Sequence, residues 1–111
     1  MASASPALAM DVATFLARAE KLQKKGPFAL FTSEYRALKR EAENAGDQLK
    51  AERVALLKAG RPTPYCPPET GSLGSSELLA AFRAIPPADR PRTSVKDGMR
   101  AYLAKKWPCR S

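Results

Sequence analysis

Tyr65-Cys66-Pro67-Pro68 and Trp107-Pro108-Cys109 bracket the stretch on which the fold turns. They hold the only 2 cysteines of the 111-residue chain, each beside a proline and each preceded by a large aromatic residue within two positions. Between them lie two short amphipathic patterns, Ser76–Ile85 and Ser94–Lys106. A bond between Cys66 and Cys109 would lock these into a helical hairpin by closing a loop of 43 residues. Chain entropy gives such a closure about 4 kcal/mol, much of the roughly 5–10 kcal/mol that holds a small domain together. The rival reading is a pair of free thiols in a reducing compartment.

Inside the brackets, Ser75 or Ser76 is expected to cap a helix with Leu78, Leu79, Phe82 and Ile85 as its core face, and Pro86-Pro87 stops it. Ala88–Arg92 reads as a polar turn. Ser94, with Asp97 three residues on, resembles a capping box and starts a last helix. On it Val95, Met99, Tyr102, Leu103 and Trp107 are expected to face inward.

Upstream, Asp11 can cap a first helix whose apolar residues Val12, Phe15, Leu16, Ala19 and Leu22 follow the spacing of one buried face. Lys21, Lys24 and Lys25 complement its carboxyl end, and Gly26-Pro27 terminates it. Phe28-Ala29-Leu30-Phe31 is read as an apolar plug between helices, with an exposed recognition loop as the other reading. Thr32 or Ser33 should cap the longest helix, which runs to about Lys58 with Gly60 as its stop. Its stripe of Tyr35, Leu38, Ala42, Ala45, Leu49 and Leu56 keeps phase across Gly46, which favours one helix over two. The spacing also suits a coiled-coil seam, but alanines and Glu52 in the stripe favour packing within the chain. Residues 1–9 are expected to be a disordered tail or the remnant of a signal peptide. Residues 10–111 are one helical domain: a helical pair over 10–60, a Pro/Gly/Ser linker over 61–75 and the hairpin over 76–111. No strand alternation is visible, so the expected fold class is all-α, a four-helix small domain with a disulfide-pinned C-terminal hairpin.

Composition narrows the chemistry mainly by exclusion. There is no histidine, which removes Ser-His-Asp and Cys-His catalysis and the commonest general base. Two cysteines cannot complete a tetrahedral zinc site unaided. Gly71-Ser72-Leu73-Gly74 lacks the lysine and the preceding strand of a phosphate loop. Glu41, Glu43, Glu69 and Glu77 read as solvated charges. The expectation is therefore no enzyme, no catalytic residue, no metal and no cofactor. The net charge of +8 and pI near 9.9 point to an anionic partner. Arg61–Ser111 carries nine basic and four acidic residues, net +5, against ten and seven, net +3, for Met10–Gly60. Arg83, Arg90, Arg92, Lys96 and Arg100 are the partner-binding residues expected on the outward face of the hairpin, where they would meet an acidic groove of another protein. Nucleic acid is the alternative partner, and an envelope protein binding anionic polymer a third reading. No apolar run reaches the roughly 18–20 residues of a membrane span, and the chain is expected to be a monomer or homodimer. Ala7-Leu8-Ala9 fits the small-x-small pattern of a signal-peptidase site without the basic and apolar stretches that precede one. With two cysteines, this suggests an exported, periplasmic protein whose signal is incomplete in the sequence.

The same C-terminal residues carry a family likeness. Tyr65-Cys66-Pro67-Pro68, then Leu78, Leu79, Phe82 and Ile85-Pro86, Arg92, Val95, Tyr102-Leu103 and Trp107-Pro108-Cys109 resemble the type VI secretion amidase immunity family, the Rap/Tai-like proteins. The resemblance spans about the last 47 residues. It implies a small, helical, disulfide-bonded periplasmic protein, often dimeric, that binds and blocks a secreted peptidoglycan amidase. The family's amino-terminal half usually brings a further cysteine pair, which Ala2–Gly60 lacks.

Overall fold

The computed structural model describes residues 10–109. Helix α1 spans Val12–Gln23, α2 Ser33–Lys58, α3 Ser75–Arg83 and α4 Val95–Lys106, with 3-10 turns at Gly26–Phe31 and Arg90–Arg92. Among the described residues there is no strand, only an isolated antiparallel bridge between Asp11 and Ser94. The fold is all-α, as the apolar spacing predicts. The tail expected over Met1–Ala9 lies outside the described residues.

Each helix starts where its capping chemistry places it, with one exception. Asp11 Oδ1 accepts from the Thr14 amide at 2.7 Å, Thr32 Oγ1 from Tyr35 at 3.1 Å, and Ser94 Oγ from Asp97 at 3.0 Å. The exception is α3, whose cap is Gly74, with Ser75 already inside the helix and no side chain capping it. The predicted cap at Ser75 or Ser76 is therefore corrected by one or two residues. Gly60, with φ of +69°, terminates α2 in the left-handed region that favours glycine. α2 runs unbroken through Gly46.

One core joins the four α-helices of the described residues. Val12, Phe15, Leu16, Ala19 and Leu22 of α1 are all buried, as are Leu38, Ala45 and Leu49 of α2. Leu78 and Phe82 of α3 and Val95, Met99 and Leu103 of α4 complete it, and Phe15 meets Phe82 edge to face at 5.5 Å between ring centres. The linker between α2 and α3 is a strap: Tyr65 is buried, and Leu73 packs against the core. Cys66 and Cys109 are disulfide-bonded with Cα atoms 5.0 Å apart, and the Cys66 amide donates to the Trp107 carbonyl at 2.8 Å. The bond thus fastens the start of the strap to the end of α4. Among the described residues no helix is long and apolar enough to cross a membrane.

Candidate functional site: an apolar turn beside a groove

The reading of Phe28–Phe31 as a core plug is overturned. Phe28 is 75% exposed, Leu30 58% and Phe31 79%; only Ala29 reaches the core. The geometry explains the reversal. Gly26 adopts φ of +65° and Pro27 fixes the next residue, so the chain leaves α1 into a 3-10 turn rather than a loop folded inward. A 3-10 helix repeats every three residues, so Phe28 and Phe31 share one side. With the small Ala29 turned to the core, both rings remain in solvent. Thr32 fixes the turn from behind: its hydroxyl donates to the Ala29 carbonyl at 2.7 Å while accepting from the Tyr35 amide.

Next to the turn lies a groove of about 370 Å³. Its floor and walls come from Phe15 and Leu22 of α1, Leu38 and Ala42 of α2 and Leu78 of α3, with Leu73 of the strap at one edge. Leu30 of the turn belongs to its lining, so the convex turn and the concave groove form one continuous apolar face. Lys39 and Glu43 supply charge at its α2 wall. The sequence signal for this face is the Gly26-Pro27 break before four apolar residues, since a turn too short to cross the core must leave some of them outside.

Three of the five hairpin cations, Arg90, Lys96 and Arg100, are not on the outward face where the sequence reading put them. Arg90 is half-buried and structural: its Nε donates to the Ile85 carbonyl at 2.8 Å and Nη2 to the Arg83 carbonyl at 2.7 Å, tying up the carboxyl end of α3. Lys96 and Arg100 are half-buried and turn toward α2, where both pair with Glu52, Arg100 at 3.2 Å. Arg100 also pairs with Asp97 at 2.6 Å. Only Arg83, whose Nη2 lies 3.3 Å from Gln23 Oε1, and Arg92, paired with Asp89 at 3.0 Å, are exposed. The structure therefore brings no outward row of five cations together on the hairpin.

Carboxylates across the fold act as ties between elements. The hydrogen bond from Lys96 holds the Glu52 carboxyl below its ordinary range. Glu34 is lowered by its hydrogen bond with Arg18, 2.6 Å at Nη2, which joins α2 to α1. Glu77 is lowered first by Lys106, at 2.6 Å, and then by the hydroxyl of Tyr102, whose own pKa rises through that bond. Lys106 also reaches the Ser72 carbonyl at 3.1 Å, fastening the strap. Among the described residues no group of three or more potential ligands is placed to hold a metal ion.

Comparison with protein-family models, curated proteins and solved structures gives no match to this chain.

Proposed function

We propose that this protein is a non-catalytic, protein-binding module of the immunity- or inhibitor-like kind, working in the periplasm. It meets its partner with the face made by Phe28, Leu30 and Phe31 and the adjoining groove. The observation that carries this reading is the exposure of two phenylalanines on a fixed turn, at 75% and 79%. Large aromatic residues held in solvent are a cost to a soluble chain unless something covers them, and they are the residue type that anchors interfaces. Burying each would contribute about 1.5–3 kcal/mol to association. The disulfide supports an oxidising compartment. The lack of histidine and the use of Glu34, Glu52 and Glu77 as ties favour occlusion of a partner over chemistry on a substrate. The resemblance of the Cys66–Cys109 segment to the amidase immunity family gives the partner class, a secreted hydrolase.

A periplasmic pull-down with wild-type protein and with Phe28→Ser/Phe31→Ser tests the reading. Wild type should retain one discrete protein, and the variant, whose changes lie in solvent, should fold normally and lose at least about tenfold in affinity for that protein once purified. Equal retention by both would overturn the assignment of this face. Retention of nucleic acid, with affinity collapsing as salt rises, would replace the protein-binding reading with a polyanion-binding one.

A further inference from the structure

The apolar face asks two things of whatever covers it: a recess for the Phe28 and Phe31 rings, and an apolar projection to fill the groove. This chain carries both, side by side. Helix α2 leads from one to the other: it begins at Ser33, directly after the turn, and gives Tyr35, Leu38 and Ala42 to the groove lining. A two-fold axis crossing α2 would set two such helices antiparallel and lay the turn of each copy over the groove of the other. Two-fold interfaces are self-complementary, and a projection beside a recess on one face has that shape.

The sizes agree. A cavity of about 150 Å³ takes one benzene ring, and the groove, at about 370 Å³, has room for two. At about 200 Å² for an aromatic side chain, rings 75% and 79% exposed present about 300 Å² between them. Each ring covers a like area of groove and the two-fold makes every contact twice. The rings alone therefore bury about 1,200 Å², the lower bound of the roughly 1,200–2,000 Å² of a stable interface. Leu30, 58% exposed, adds to that area. Lys39 and Glu43, one of each sign, are the charged residues of the lining, so the groove sets no net charge against an apolar occupant. Repulsion between two chains of net charge +8 keeps such a pair reversible.

We propose that two copies of this chain form a reversible two-fold dimer, each seating Phe28 and Phe31 in the groove of the other. The dimer covers the face that the protein-binding reading above gives to the partner. On that reading rests its consequence: partner and second copy compete for one site.

Sedimentation equilibrium of the full chain from about 1 μM to 1 mM reads the dimer directly. Wild type should dimerise within that range, and more tightly as salt screens the like charges. Phe28→Ser/Phe31→Ser, whose changes lie in solvent, and Ala42→Phe, which fills the groove, should each weaken association at least about tenfold. Thermal melts check that both variants fold; should Ala42→Phe not fold, the double variant decides. A photoreactive benzoylphenylalanine at position 28, illuminated in a mixture of isotope-labelled and unlabelled chains, should crosslink to the groove residues of the other copy. Wild type that stays monomeric up to about 1 mM overturns the proposal. Cosedimentation of that monomer with phosphatidylglycerol vesicles, lost in the double variant, would give the face to a membrane instead. A dimer that survives the double variant, crosslinks elsewhere or weakens as salt rises overturns it too. Purified partner should convert the dimer to a one-to-one complex, and a complex that keeps both copies overturns the competition. If wild type is monomeric while the partner still depends on Phe28 and Phe31, the dimer alone falls. If the dimer depends on them and the partner does not, the protein-binding face falls and the dimer stands.

Discussion

A methyl group added at Gly98 would lie 3.1 Å from Phe82 Cε1 and 3.1 Å from Val12 Cγ2. Both neighbours are fully buried, at 0% exposure, and have nowhere to move. Gly98 is therefore what lets α4 press against α1 and α3. At Gly46, in contrast, the nearest atom to an added methyl is Met99 Sδ at 4.0 Å, an ordinary contact. Gly98→Ala should lower stability, since overpacking costs about 1–3 kcal/mol and outweighs a gain of up to about 1 kcal/mol in helix propensity. Gly46→Ala should raise stability by about 0.5–1 kcal/mol. Thermal melts read the pair directly, at about 4–8 °C per kcal/mol for a domain near this size. A higher melting temperature for Gly98→Ala would mean that the helices can part at that point without cost. Sequence inspection could weigh Gly46 by its phase in the helix, but the role of Gly98 needed three helices in place.

Glu52 acts at the scale of elements, because it sits on α2 and pairs with Lys96 and Arg100 of α4. Its pKa is depressed in the fold through those bonds, chiefly the one from Lys96. The unfolded chain therefore takes up a proton at higher pH than the folded one. The stabilisation is present above the ordinary carboxylate pKa of about 4.3 and is lost as pH falls through the lower, folded value. Glu34 and Glu77 shift in the same direction. Melting temperature should be flat between about pH 8 and 6 and fall below about pH 5. Glu52→Gln should cost about 0.2–1 kcal/mol at neutral pH, because solvent screens this partly exposed pair. That deficit should vanish near pH 3 and shrink in high salt; a deficit independent of pH would assign Glu52 a packing role instead. The helices, and the caps of α1, α2 and α4, were legible in sequence because they depend on neighbours three or four residues away. The inward turn of Lys96 and Arg100 was not, because their partner lies more than forty positions earlier on another helix. Phe28 and Phe31 misled for a related reason: apolar character predicts burial only where the backbone can bring a side chain to the core.

Across the molecule as a whole, the Cys66–Cys109 bond and the Glu77–Lys106–Ser72 contacts hold the strap against α4. The strap in turn supplies Leu73 to the edge of the groove. Cys109→Ser should lower the melting temperature by about 15 °C or more, from the roughly 4 kcal/mol of loop entropy it releases. Differential scanning calorimetry of the variant and of reduced wild type should agree. A shift of one or two degrees would show that packing holds the strap without the bond. The expected hairpin, its pinned ends and its all-α character could be read from two cysteines and two amphipathic patterns. Where the exposed apolar surface would fall could not, since it depends on how the two halves share one core.

The paired starts of α1 and α4 also bear on how the chain reaches this state. The Val12 amide donates to the Thr93 carbonyl at 2.8 Å, and the Val95 amide to the Met10 carbonyl at 2.9 Å. These bonds join the start of α1 to a point about eighty residues later, a closure whose entropic cost precedes its reward. A chain made from its amino terminus completes α1 well before the Thr93–Val95 segment with which the start of α1 pairs. Helix α1 can dock on α2 early, through Arg18 and Glu34, but the two bonds at its start wait for the start of α4.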